Sequence, residues 1–190
     1  MNQHHQLSLW EASRLDFKNR HMDFKFCPQC QSDMVIGDLG YNYCQSENCN
    51  FVQYSNPTPV VAAIVEYGKD RLILAHNRLW PPGWFGLITG FLEKHEHPDH
   101  CVIREVKEEL GIDASISSFI GHYSFKRMNQ IIIAYHVVAD VAQDIVLEDE
   151  LDEYKTVPFD KAAYWPAGTG YALKDFLESR GYEPVLKPFS

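Results

Sequence analysis

Two hydrophobic periods run along this chain and predict where strands give way to helices. "VVAAIVEY" (60–67) and "RLILAHN" (71–77) are β-branched or apolar runs of strand length, and "GKD" between them reads as a hairpin turn. "WPPGWFG" (80–86) is a rigid loop leading into a short strand at "LIT" (87–89). "PDHCVIREVKEEL" (98–110) switches to helical spacing, with a proline in the first turn and a stop at Gly111. "ISSFIGHYSF" (116–125) and "QIIIAYHVVAD" (130–140) return to strand character. "AGTGYALKDFLESRG" (167–181) closes the chain as an amphipathic helix ending at Gly181. The succession is mixed α/β, with no internal repeat.

Before residue 57 the pattern differs. Residues 1–22 are polar, and "SLWE" (8–11) reads as the capping box of a short helix carrying Leu9, Trp10 and Leu15. Residues 23–56 hold four of the five cysteines. "NPTP" (56–59) reads as a rigid linker, because two prolines in four residues do not continue a strand ladder. The expected organisation is an N-terminal segment at 1–22, a cysteine module at 23–56 and an α/β domain at 57–190.

Cys27-Pro-Gln-Cys30 and the pair Cys44 and Cys49 are separated by thirteen residues that can form a hairpin around "IGDLGYNY". Two short-loop pairs at the ends of a hairpin bring four thiolates within tetrahedral reach of one ion, which suits Zn²⁺. Such a site leaves no position for water, so its role is structural: it supplies folding energy to a segment too small for a core of its own. Cys101, on the 98–110 helix, has no cysteine near it in sequence and reads as a buried, inert thiol.

Composition narrows the function classes. A formal charge of −9 weighs against a general basic surface for nucleic acid, but leaves room for a small nucleotide whose phosphates are screened by cations. The best apolar run is strand-sized, and the first residues lack the basic start and apolar run of a signal peptide, so a cytoplasmic protein without a membrane span is expected.

The candidate chemistry lies in "GFLEKHEHPDHCVIREVKEELGI" (90–112), which crowds six carboxylates beside an apolar stripe. On a helical wheel, Val102, Ile103, Val106 and Leu110 fall on the core arc, and Glu105, Glu108 and Glu109 share the neighbouring ridge. Arg104 lies at its outer edge and Lys107 points away. A solvated face normally alternates signs, and this ridge does not. Converging hard oxygen donors suit Mg²⁺ or Mn²⁺, which lower the pKa of bound water and shield phosphoryl oxygens during pyrophosphate cleavage.

Gly90, Glu96, Arg104, Glu105, Val106, Glu108, Glu109, Gly111 and Ile112 occupy the spacing of a Nudix box. With the cysteine module and "NPTP", the chain from about residue 24 to 180 resembles the zinc-ribbon Nudix hydrolases, a group that includes NADH pyrophosphatases and ADP-ribose or FAD pyrophosphatases. The resemblance implies an α/β/α sandwich with a mixed sheet, preceded by a small β-hairpin zinc ribbon. It implies that Glu105, Glu108 and Glu109 bind metal and act in catalysis, and that the carbonyl of Thr89 or Gly90 completes the metal shell. It further implies that Arg104 orients a box glutamate and pairs with Glu96. A later loop often adds a ligand or base, and in "LEDELDEY" (147–154) Glu150 matches best, ahead of Glu148 and Glu153; a solvated acidic loop is the equal alternative.

Two departures bear on the reading. Many boxes carry glycine where this chain has His95, and the loop adds His97 and His100. NADH pyrophosphatases share a Ser-Gln-Pro-Trp-Pro-Phe-Pro motif after the box, where this chain reads "HYSFKRM" (122–128). Phe125, Lys126 and Arg127 can supply stacking and phosphate contacts there, and Trp80 and Trp84 can line the pocket, with packing as the alternative for the aromatics. The expected activity is metal-dependent hydrolysis of a nucleoside diphosphate derivative, with ADP-ribose, FAD or a related dinucleotide preferred by resemblance. The alternatives are action on NADH or NAD-capped RNA, and a zinc-ribbon module recognising RNA or protein on an idle scaffold. The complete box and the non-basic ribbon weigh against the last. The expected partners are a small nucleotide, a capped RNA end at most among nucleic acids, no membrane, and a second copy of the chain.

Overall fold

The computed structural model describes residues 23–38 and 40–188, and the chain divides into two compact units at the Pro57–Thr58 junction. The helix expected around residues 8–15 lies outside the described residues.

The first unit is a three-stranded antiparallel sheet of β1 (Met34–Ile36), β2 (Asn42–Cys44) and β3 (Val52–Gln53). β1 and β2 form the expected hairpin, with Met34 opposite Cys44. The short strand β3 beside β2 was not anticipated. Buried side chains here are Cys27, Cys44 and Asn42, while Phe26, Ile36, Tyr43 and Tyr54 are exposed. So little apolar burial does not hold a fold of this size without a cross-link or metal.

The second unit is built on a mixed six-stranded sheet in the order β7-β8-β4-β5-β9, with β6 also paired to β4. Its strands are β4 (Thr58–Tyr67), β5 (Arg71–Asn77), β6 (Ile88–Phe91), β7 (Ala114–Phe125), β8 (Gln130–Ala139) and β9 (Leu151–Pro158). Only β4 and β8 run parallel. Helix α1 (Pro98–Leu110) packs on one face through Val102, Val106 and Leu110, against Val61, Ala63, Val65 and Val137. Helix α2 (Thr169–Ser179) packs on the other through Leu173, Phe176 and Leu177, against Ile64, Leu72 and Leu74. The unbroken apolar run of β4 follows from this sandwich, since successive side chains point to opposite faces and both are covered. A short parallel pair, β10 (Ala163–Tyr164) with β11 (Val185–Leu186), flanks α2. No helix among the described residues is long and apolar enough to cross a membrane.

Two expectations change. β4 begins at Thr58, so Pro59 lies inside a strand rather than in a linker. The Thr58 N–H donates to Asn129 C=O on the β8 side, which turns residue 59 toward β6, where pairing ends at Val60 opposite Phe91. The missing proline donor thus falls just past the end of the ladder and costs no bond. The second change concerns "LEDELDEY", which is not one acidic loop. From Leu151 onward it is β9, antiparallel to β5, with Glu153 opposite His76.

Candidate functional site

Helix α1 is delimited as its sequence suggests, and its ends explain part of the histidine cluster. Pro98 opens it, and the His97 side chain caps it by accepting from the Asp99 N–H at 3.3 Å. Gly111 ends it at φ 71, a conformation that favours glycine, and donates to Lys107 C=O. His95 also has positive φ, 69. The glycine of other boxes at this position therefore has a backbone cause, which His95 meets with strain. The His100 ring lies tilted near that of His97, with ring centroids 6.0 Å apart.

Arg104 organises the acidic ridge. Its Nε and Nη2 donate to the two oxygens of Glu96 at 2.8 and 2.9 Å, and Nη1 donates to Glu105 at 2.8 Å and Glu108 at 2.7 Å. Nη2 also reaches Phe91 C=O at 3.2 Å, tying α1 to the end of β6. The fork of Arg104, followed by the Glu93 N–H, holds the Glu96 carboxyl down at about 2. Burial raises Glu105 despite the bond from Arg104. Among the described residues no cation pairs with Glu109. Burial, then the charges of Glu105, Glu150 and Glu108, push it up to about 8.

Glu150 reaches this neighbourhood because the segment before β9 is pinned to the end of α1. The Val146 N–H donates to Leu110 C=O at 3.0 Å, and the Glu148 N–H donates to Glu109 C=O at 3.3 Å. These bonds use carbonyls that the last helical turn leaves without intrahelical partners. The Arg78 N–H then takes Glu150 C=O at 3.0 Å. Glu153 lies within β9 rather than on this turn.

Gly90 joins the ridge to a cleft. A Cβ on it would overlap the Glu105 carboxyl group, so only glycine lets Glu105 sit there. On its other side lies a cavity of about 590 Å³, lined by Thr89, Gly90, Trp80, Trp84, Phe125 and Arg127 among others. The sequence-derived substrate candidates Trp84, Phe125 and Arg127 therefore share one cleft with Thr89 and Gly90. Phe125 also packs against Ile132, Ala134 and Ala172, so the stacking and packing alternatives are not exclusive. The carboxylates themselves do not line this cavity; they border it through Gly90.

Sequence reading missed Trp165, Gln130 and Thr169, which also line the cleft. "YWPAG" repeats the Trp-Pro-Gly style of the "LWPPGW" loop, and that likeness was the available signal. It missed His76 as well, which is buried on β5. Its Nδ1 lies 2.6 Å from Asp152 and its Nε2 3.2 Å from Pro81 C=O. The hydrogen bond to Asp152 raises its pKa, and the ring ties β9 to the Trp80–Trp84 loop.

In the first unit, one ligand atom from each of Cys27, Cys30, Cys44 and Cys49 lies within 4.8 Å of the others. All four are free thiols, with Cys27–Cys49 Sγ atoms 3.6 Å apart and Cys30–Cys44 3.4 Å apart. Tetrahedral sulfurs about 2.3 Å from a common ion stand about 3.8 Å apart, so the cluster has the size of a zinc site. The Gln29 and Ser46 N–H groups donate to Cys27 and Cys44 Sγ at 3.4 Å. Cys101, in the second unit, is buried against Phe91 C=O, and burial pushes its thiol up to about 12.

Residues 56–177 match the model of the NUDIX domain. The chain belongs to the NUDIX family. It is 28% identical over 180 residues to the NAD-capped RNA hydrolase NudC of Pseudomonas aeruginosa, a match that covers 92% of this chain and 63% of that relative. The namesake from Mycobacterium tuberculosis is 30% identical over 91 residues, covering 48% of this chain and 29% of that protein. The chain therefore spans less than two thirds of the length of these curated relatives. Among solved structures, a NUDIX hydrolase from Nitrosomonas europaea superposes with TM-score 0.66 at 21% identity, covering 87% of this chain and 100% of that one. An Ap4A hydrolase from C. elegans gives TM-score 0.51 at 17% identity, covering 65% and 98%. These likenesses establish the NUDIX fold.

Proposed function

We propose that this NUDIX chain hydrolyses the pyrophosphate bond of a nucleoside diphosphate derivative, and that its substrate is an NAD-type dinucleotide, free or at an RNA end. The observation that carries the reaction is the seat of Glu105 under Gly90, which sets the acidic ridge against an aromatic cleft. The curated relatives support the NAD-type substrate over the ADP-ribose or FAD preference that resemblance alone suggested. The proposal is for this chain's own site, since the relatives are longer.

The residues fit a divalent ion. Glu105, Glu108, Glu109 and Glu150 offer hard oxygens, Arg104 bonds Glu105 and Glu108, and burial followed by the charges of Glu105, Glu150 and Glu108 pushes Glu109 up to about 8. Mg²⁺ or Mn²⁺ held by these four carboxylates with the Thr89 or Gly90 carbonyl would supply charge neutralisation for the phosphates and a more acidic water. Arg104 holds Glu105 and Glu108 in fixed rotamers through one nitrogen. Trp80, Trp84 and Trp165 offer stacking faces for the base, and Arg127 a charge for the phosphates. Water attacks one phosphorus, the P–O–P bond breaks, a ridge carboxylate takes the proton, and two monophosphates leave. We also assign a structural Zn²⁺ to Cys27, Cys30, Cys44 and Cys49.

The test is hydrolysis of NADH, NAD⁺, NAD-capped RNA, ADP-ribose and FAD with Mg²⁺ or Mn²⁺, beside Glu109→Gln. The expected result is cleavage of the NAD-type substrates and a loss of at least about a hundredfold in the variant. No cleavage of any substrate, or an undiminished variant, sinks the reading; faster cleavage of ADP-ribose or FAD restores the other preference. For Glu150, the Glu150→Gln variant should need more Mg²⁺ for half its maximal rate, and an unchanged Mg²⁺ requirement would return it to the solvated surface.

A further inference from the structure

Beside the aromatic cleft lies a second cavity of about 430 Å³ that the hydrolysis does not use. Lys155, Lys161 and Lys187 line it, together with Trp84, Phe85 and Trp165. The three lysines come from three places in the fold. Lys155 is on β9 opposite Leu74, Lys161 ends the short turn Phe159–Lys161, and Lys187 follows β11. Lys187 is held there by its own N–H, which donates to Tyr164 C=O at 2.8 Å.

Among the described residues no carboxylate lies within ion-pair distance of Lys155 or Lys187, and Lys161 has only its neighbour Asp160 at 3.8 Å. Lys155 is half-buried with its ammonium 3.7 Å from the centre of the Phe85 ring, and burial followed by the charge of Lys187 lowers its pKa. The charge of Glu153 acts on Lys155 from beyond ion-pair distance. Burial of the Lys155 ammonium beside the charge of Lys187 costs stability that a bound anion would offset, while Lys161 and Lys187 are exposed at the rim. The tetrahedral oxygens of a phosphate suit three ammonium-bearing side chains that line one cavity, and the tryptophan and phenylalanine walls suit a flat base.

We propose that this cavity is a second ligand site, which binds the phosphate of a nucleotide against Lys155, Lys161 and Lys187. It needs neither the acidic ridge nor a divalent ion, so it stands apart from the hydrolytic reading. Trp84 and Trp165 border both cavities and report its occupancy.

The experiment titrates the full chain with AMP, inorganic phosphate, sulfate and a short oligoadenylate, without added divalent ion, and follows tryptophan fluorescence and calorimetric heat. Saturable AMP binding is expected, kept in Glu109→Gln and weakened at least about tenfold in the double variant Lys155→Gln/Lys187→Gln. Lys161→Gln, at an exposed position, should weaken it less, and Lys155→Arg should retain it, which separates lost charge from lost folding. Tighter, equally lysine-dependent binding of oligoadenylate than of AMP would identify the phosphate as one of a polynucleotide chain. The proposal is overturned if no saturable binding occurs, if sulfate binds as tightly as AMP, or if the lysine variants bind AMP as the parent does. If Glu109→Gln alone abolishes binding, the ligand sits on the ridge and the lysine site is rejected.

Discussion

Gly90 and Glu105 share one volume: the Glu105 carboxyl group lies where a side chain on residue 90 would begin. β6 carries Gly90 opposite Val61 on the face that α1 covers, so the contact is set by the strand register and the helix packing together. Gly90→Ala must therefore displace either the carboxylate or the helix. Rate losses near a hundredfold are typical of a reacting group moved by about 1 Å, and overpacking costs about 1–3 kcal/mol. Steady-state kinetics and thermal denaturation of Gly90→Ala should show both. A variant with parental kcat/KM would mean that Glu105 does not act from this seat.

The Glu96–Arg104 pair gives a pH dependence of stability. The bonds from Arg104 lower the Glu96 carboxyl from 4.5 to about 2 in the folded chain. A depressed carboxylate stabilises the fold fully above the unfolded value and loses that contribution as pH falls through the folded one. The melting temperature should accordingly drop between about pH 4.5 and 2, and the drop should be shallower in Glu96→Gln. Equal slopes for parent and variant would show that the pair does not couple to folding.

His95 occupies a backbone conformation, φ 69, that costs a side chain about 1 kcal/mol or more. His95→Gly removes that strain but loosens the unfolded chain, so the expected net gain is at most about 1 kcal/mol. Chemical denaturation measures it. Activity should be unchanged, since the His95 side chain is exposed to solvent. Loss of activity in this variant would give the histidine a function that the geometry does not.

The cysteine cluster predicts one zinc per chain. Metal analysis of protein purified without chelators should find it, and Cys44→Ser should lower its content. Chelation should unfold residues 23–57 as a local event, seen as new protease cuts there, because among the described residues of this unit Cys27, Cys44 and Asn42 are the buried ones. Unchanged proteolysis after complete zinc removal would show that the ribbon holds itself.

Much of this protein follows from local pattern. The limits of α1 rest on Pro98 and Gly111, whose backbone preferences act without help from the rest of the chain. The ridge of Glu105, Glu108 and Glu109 rests on helical period, and the cysteine hairpin on two short spacings. These features involve residues within a few turns of one another, where covalent geometry decides. His97 is a partial case: its capping role was open to inspection, but histidine is not among the usual caps.

What the sequence left open depends on residues far apart. The Glu148 N–H finds Glu109 C=O only because β8, β4 and β5 set the distance between α1 and β9. The same sheet turns Pro59 past the end of a ladder and folds "LDEYKTVP" into a strand, against its polar composition, because β5 offers an unpaired edge. Trp165 joins Trp80 and Trp84, and Lys187 joins Lys155, through chain crossings that no local period encodes. The limits of α1, its acidic ridge and the cysteine hairpin were thus determined by neighbours in sequence. The cleft, the Glu150 approach and the lysine cavity were decided by strand order and packing, which is where long-range contacts select among locally equivalent conformations.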